Sequence, residues 1–155
     1  MIFSESDKDF MEYCLLLAKE AATSGEVPVG ACVVKNNVII GSGYNSNKRK
    51  TDPTAHAEIN AIREACKNLE SDRLEGATLY VTLEPCSMCA AAAVTAKLGT
   101  LIFGAFDPKA GACGSLYNIA EDARLNHTVK VFSGLLEEKS SSLLKDFFQR
   151  KRNRT

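Results

Sequence analysis

Several things are scarce in this sequence of 155 residues, and each scarcity closes off a class of protein. No apolar run approaches the roughly 18 residues that span a bilayer, so no membrane segment is expected. No short apolar stretch with a basic lead precedes Cys14, so no secretory signal is visible. Cysteine stands at six positions (Cys14, Cys32, Cys66, Cys86, Cys89, Cys113), about 4% of the chain, against roughly 8–10% in disulfide scaffolds. The expectation is a cytoplasmic chain with reduced thiols, where a close cysteine pair points to metal or catalysis rather than to a bridge. Net charge is missing as well, because 19 Lys+Arg balance 19 Asp+Glu. The balance fails locally: in the last eleven residues Lys145, Arg150, Lys151, Arg152 and Arg154 meet only Asp146. Taken alone, such a basic tail reads as readily as a solvated, frayed terminus as it does as a contact for nucleic acid. No internal repeat or low-complexity segment stands out.

What is present reads as an ordinary folded chain. A hydrophobic fraction of 45% with 25% charged residues argues against disorder. A chain of this length buries roughly two thirds of its unfolded surface, so one domain over residues 1–155 is expected to fold without a disulfide or a structural metal. Apolar residues at Phe10, Cys14, Leu17, Ala18 and Ala21 keep a helical period and predict an amphipathic helix over 7–24, stopped by Gly25. The β-branched runs 29–34 and 38–44, joined through Lys35, Asn36 and Asn37, predict a hairpin. The polar, basic stretch 45–51 reads as a loop, and Asp52 as N-cap with Pro53 at the first helical position predicts a helix to about Lys67. A strand over 76–83, a helix opened by Pro85 and ending near Lys97, and a strand over 101–103 follow. The glycines and Pro108 between 105 and 115 mark a loop, and a strand over 129–132 precedes a closing helix from Glu137 to about Arg150 carrying Leu143, Leu144, Phe147 and Phe148. Helices alternating with strands predict parallel order after the hairpin, hence an α/β fold of three α/β/α layers around a mixed sheet of about five strands.

Two short stretches carry the chemistry: Pro53-Thr54-Ala55-His56-Ala57-Glu58, and Glu84-Pro85-Cys86-Ser87-Met88-Cys89. Cys86 and Cys89 are three apart at a helix beginning, so their sulfurs share one face and the helix N-terminus favours thiolate. By itself this pair suits a redox disulfide or zinc equally. His56 is one of only two histidines, the other being His127, and a lone histidine is commonly structural. The conjunction is more specific. The separation of 30 positions from His56 to Cys86 leaves room for a helix, a return and a strand, which brings two helix N-termini to one sheet edge. One imidazole and two thiolates form a three-ligand zinc site with an open position, as catalytic sites have, although spacing alone leaves Cys113 and His127 as candidate fourth ligands. Glu58 lies about 200° around a regular helix from His56, so it is placed as a neighbour of the metal, suited to move protons.

The motifs P-T-A-H-A-E and T-L-E-P-C-x-M-C resemble those of the cytidine deaminase superfamily. The flanks narrow the resemblance to the bacterial tRNA adenosine deaminase family: Glu26-Val-Pro-Val-Gly30, Gly43-Tyr-Asn45, Phe103-Gly-Ala-Phe-Asp107, Gly114-Ser-Leu116, Leu125-Asn-His127 and Asp146-Phe-Phe148 with its basic sequel. The similarity covers nearly the whole chain. It implies hydrolytic deamination of adenosine to inosine at the wobble position of a tRNA anticodon stem-loop, by a homodimer with one zinc ion per subunit. In that pattern His56, Cys86 and Cys89 are the zinc ligands and Glu58 the proton shuttle. Asn45 contacts the base, Val29 lines its pocket, Asp107 belongs to a loop that meets the anticodon, and Phe148 lies on an RNA-facing helix; His127 is structural. The superfamily also implies the alternative of a deaminase for a free nucleobase or nucleoside. Ala91, Thr95 and Phe106 depart from the family pattern, standing where glycine, a larger polar residue and a polar residue are frequent.

Overall fold

The computed structural model describes residues 2–154. In chain order it contains α1 (Glu5–Thr23), β1 (Gly30–Lys35), β2 (Val38–Tyr44), α2 (Asn47–Lys50), α3 (Ala57–Leu69), β3 (Thr78–Leu83), α4 (Ser87–Thr95), β4 (Thr100–Ala105), β5 (Lys130–Phe132) and α5 (Glu137–Asn153). The strands form one mixed sheet in the order β2-β1-β3-β4-β5. The hairpin is antiparallel, β1 also runs antiparallel to β3, and β3, β4 and β5 are parallel. Asn36 and Asn37 both take positive φ (51° and 62°), the backbone a tight two-residue hairpin turn demands and one that asparagine tolerates.

Alternation along the strands builds two cores. Ala31 and Val33, Leu79 and Val81, Leu101 and Phe103 face one side of the sheet, where α3 and α4 cover them. Cys32 and Val34, Tyr80 and Ile102 face the other, under Met11 and Cys14 of α1 and beside Leu135. The result is the expected α/β/α layering. On the first face α3 lies almost on the backbone of β2. A Cβ at Gly41 would sit 2.4 Å from the Ala61 carbonyl oxygen, and one at Gly43 2.8 Å from that of Ala57. The stripe Ala57, Ala61 and Ala65 supplies the matching small surface on the helix.

Helix boundaries differ from the sequence reading in instructive ways. Ser4 caps α1 two residues earlier than the period suggested: its Oγ accepts from the Asp7 N–H, and the Asp7 carboxylate accepts from the Ser4 N–H, each at 3.0 Å. Gly25 stops the helix as expected, at φ +77°. The stretch 45–51 is not all loop, since it contains the single turn α2. Asp52 does not cap the next helix. Its Oδ1 accepts from the Thr54 N–H (2.9 Å) and hydroxyl (2.7 Å), closing a local turn instead, and α3 begins at Ala57 with His56 as N-cap. Pro85 likewise stays outside α4, whose N-cap is Cys86. Gly76 forms a turn at φ +75° ahead of β3, and Val129 donates to the Ala120 carbonyl just before β5. Among the described residues no helix is long and apolar enough to cross a membrane.

Candidate active site

Both motifs end a connection and start a helix. His56 is the N-cap of α3 and Cys86 the N-cap of α4, yet neither side chain caps its own helix. Each turns toward the other instead. His56 Nδ1 lies 3.6 Å from Cys86 Sγ and 3.6 Å from Cys89 Sγ. A tetrahedral centre with Zn–N of about 2.0 Å and Zn–S of about 2.3 Å separates its nitrogen and sulfur ligands by about 3.6 Å, so the donor set fits zinc in kind and in spacing. Among the described residues this is the one group of three such side chains close enough to hold a metal ion. Cys113 and His127 fall outside it. Burial, then the Glu84 carboxylate, pushes the Cys113 thiol up to about 12, and His127 Nε2 pairs with the Leu98 carbonyl at 2.7 Å, ahead of β4 at the opposite edge of the sheet.

Charge is set by the same geometry. The Cys89 thiol hydrogen-bonds to Cys86, and with help from His56 it holds Cys86 down to about 3; the same bond, with burial, pushes Cys89 up. The Cys86 interaction in turn raises the His56 pKa. Glu58, in the first turn of α3, is buried. Burial raises its carboxyl to about 7, opposed by its backbone amide and by His56.

The remaining wall is built where strands end. β1 is antiparallel to β3, so the start of β1, the end of β2 and the ends of β3 and β4 meet at one edge of the sheet. Val29, Asn45, Glu84 and Asp107 each lie within two residues of such an end. They surround a cavity of about 340 Å³ with His56, Glu58 and Cys86. Asn45 Oδ1 accepts the Ala57 N–H at 2.8 Å, which leaves its amide NH2 as the free donor. Phe148 is not brought to this cavity. It lies partly exposed on α5 in a separate groove with Lys109, Leu144, Lys145, Gln149 and Arg152.

Two buried carboxylates, Glu26 and Glu84, take roles that only the folded chain reveals. Glu26 accepts the N–H groups of Lys48 (3.2 Å) and Arg49 (2.9 Å) and so ties α2 to the cavity. Glu84 accepts from the N–H groups of Asp107, Cys113 and Ser115 and from the Ser115 hydroxyl. Burial would raise the pKa of Glu84, but these bonds outweigh it and the net shift is downward. The only sequence signal for either was an acidic residue within an otherwise apolar, strand-adjacent stretch.

The family model for the cytidine and deoxycytidylate deaminase zinc-binding region matches residues 4–105, which contain His56, Glu58, Cys86 and Cys89. Fold and site thus define a zinc-binding deaminase of that class. A tRNA-specific adenosine deaminase from Haemophilus influenzae is 49% identical over 150 residues, covering 96% of this chain and 87% of that one. The protein of the same name from Bacillus subtilis is 47% identical over 148 residues, with 96% and 92% covered. A solved structure from biochemical and structural studies of A-to-I editing by tRNA:A34 deaminases at the wobble position of transfer RNA matches with a TM-score of 0.85 and 45% identity, covering 88% of this chain and 99% of that one. The chain belongs to the tRNA-specific adenosine deaminase family. Ala91 and Thr95 are exposed on α4, and Phe106 is exposed with its ring edge-on to Phe103 at 5.1 Å.

Proposed function

We propose that this chain hydrolyses adenosine to inosine and ammonia at the wobble position of a tRNA anticodon, as a single cytoplasmic deaminase domain over residues 1–155 with one zinc ion per subunit. The observation that carries this reading is the His56, Cys86 and Cys89 triangle beside a buried Glu58, at a cavity walled by Val29, Asn45 and Asp107. His56, Cys86 and Cys89 would hold the metal, and zinc bound there would supply Lewis acidity that brings the pKa of an attacking water toward 7. Glu58, buried and titrating near 7, accepts a proton from the attacking water and passes it to the ring nitrogen N1 of the base as the new C6–O bond forms. It then takes the second proton from the new C6 hydroxyl and hands it to the amine, so that ammonia leaves as the C6–N6 bond breaks and the C6 carbonyl forms. Asn45, its carbonyl already engaged by the Ala57 N–H, offers its amide NH2 to an acceptor on the flipped-out base, while Val29 packs against the ring. The Asp107 loop contacts the neighbouring anticodon nucleotides. Phe148 and the basic end of α5, with Arg150, Lys151 and Arg152 in its last turn, serve the RNA backbone.

Exposure of Ala91 and Thr95 on the outer side of α4 supports a homodimer in which that helix meets its partner; light scattering that gives the monomer mass at micromolar concentration would refute it. The function is tested with zinc-loaded protein and an anticodon stem-loop bearing a wobble adenosine. Inosine at that position is the expected product. Absence of inosine, with turnover of a free nucleobase instead, would establish the superfamily's other activity.

A further inference from the structure

Part of the wall of the cavity, Asp107 and Ala110, belongs to a loop, and one buried side chain holds it. Glu84 is 1% exposed. Four donors reach its carboxylate from residues 107–115: the N–H groups of Asp107 (2.9 Å to Oε1), Cys113 (3.1 Å to Oε2) and Ser115 (3.0 Å to Oε2), and the Ser115 hydroxyl to Oε1. The loop curls around the carboxylate so closely that a Cβ on Gly111 would lie 2.3 Å from its carboxyl carbon and 2.4 Å from both oxygens. Gly111 also pairs with Cys86 in an isolated antiparallel bridge, and the Ala112 N–H donates to the Pro85 carbonyl at 2.8 Å. Asp107 spends its own Oδ1 inside the turn, on the N–H groups of Lys109 and Ala110. The loop's height over the cavity is therefore fixed from beneath, by Glu84, and not by the side chain it presents.

We propose that Glu84 is a positioning residue for the substrate: its carboxylate sets the 107–115 loop at the distance from the metal ligands that a bound adenosine and its neighbouring nucleotide require. The inference rests on the deaminase reading above. No protein cation pairs with Glu84 among its hydrogen bonds, and every group around it donates. Burying a carboxylate is costly unless its acceptors are used, and here all of that acceptor capacity is directed at one loop. Simple filling of the space would be met by an apolar side chain of similar size. Glutamine cannot substitute, because its NH2 would face N–H donors at half of the site.

The experiment uses zinc-loaded full-length protein in three variants, Glu84→Gln, Gly111→Ala and the double variant Glu84→Ala with Gly111→Ala, beside Glu84→Ala alone. For Glu84→Gln and for Gly111→Ala, KM for the anticodon stem-loop rises by about tenfold or more, while kcat at saturation and bound zinc per chain stay close to wild type. Gly111→Ala reaches the same end from the loop side, with Glu84 intact. The three atoms nearest the added methyl all belong to the Glu84 carboxylate, so with it removed the double variant is expected to be no worse than Glu84→Ala. Loss of zinc, an equal fall in kcat with unchanged KM, or multiplying effects in the double variant would each overturn the proposal. If wild-type protein makes no inosine, the functional reading fails separately. Amide exchange at Asp107, Cys113 and Ser115 then decides: slow exchange in wild type, accelerated about tenfold in Gly111→Ala, supports the anchor, and fast exchange in wild type overturns it.

Discussion

At the scale of single residues, Glu58 and the three side chains suited to hold a metal, His56, Cys86 and Cys89, differ in burial and in position in a turn. His56 and Cys86 occupy N-cap positions, where an extended backbone aims the side chain ahead of the helix rather than along its flank. That explains how His56 and Glu58 reach one cavity despite opposing directions on a regular helix. Glu58 is no part of the ligand triangle, so replacing it removes proton transfer and spares the metal. Glu58→Ala is expected to lower turnover of the stem-loop on the order of 10²–10⁴-fold or more with zinc content unchanged. Metal analysis alongside single-turnover kinetics checks this, and a silent substitution would mean that the zinc serves structure alone.

At the scale of elements, α1 shows how a cap ties a helix to the sheet beneath it. Asp7 accepts from the Ser4 N–H in the capping box and from the Tyr80 hydroxyl of β3 at 2.6 Å. Partial burial would raise its pKa, but the bonds from Tyr80 and Ser4 outweigh that and hold the carboxyl below its usual value. A depressed carboxylate contributes stability that is present above its unfolded pKa of about 3.9 and is lost as pH falls through the folded value. Asp7→Asn is therefore expected to cost about 1–2 kcal/mol at neutral pH, with the difference from wild type shrinking toward about pH 3. Urea unfolding at the two pH values measures it. This cap was absent from the sequence reading because the apolar period of the helix starts only at Phe10, whereas the boundary is decided by Ser4 and Asp7. The same competition moved the start of α3. Asp52 and Pro53 have the composition of a helix start, but the Asp52 side chain satisfies Thr54 first, and the chain turns at Pro53 and Thr54 before the helix begins beyond His56.

At the scale of the whole molecule, the site sits where strands end, against one end of the first core, whose Val29 also walls the cavity, while the second core lies on the other face of the sheet. A chain of this length buries a core without help from a metal, so on the proposed function the metal serves chemistry rather than folding. Removing it with a chelator is expected to abolish inosine formation while far-ultraviolet circular dichroism stays that of the folded chain, and added zinc restores activity; unfolding on chelation would contradict this. Arg152, at the basic end of α5, lines a groove with Phe148 that is separate from the cavity. Deleting residues 149–155 is expected to raise KM for the stem-loop and to flatten its dependence on salt, with kcat retained, since phosphate contacts are lost and the reacting groups are untouched. Titrating salt in steady-state assays reads both effects.

The sequence by itself determined the kind of chemistry. Donor type is a property of the side chain, and the placement of His56, Cys86 and Cys89 at helix beginnings follows from local signals a few residues long. The layering was legible for the same reason, since strand alternation and helical period are local. Tertiary structure alone decided the geometry. His56 and Cys86 are 30 positions apart and meet at 3.6 Å only because the sheet brings two helix N-termini to one edge. Glu26 and Glu84 acquire their roles from N–H groups 22 to 31 residues away, and Phe148 was set apart from the cavity by the path of α5. A backbone amide carries no sequence signature, so which carboxylate it will find is settled only when the chain has folded.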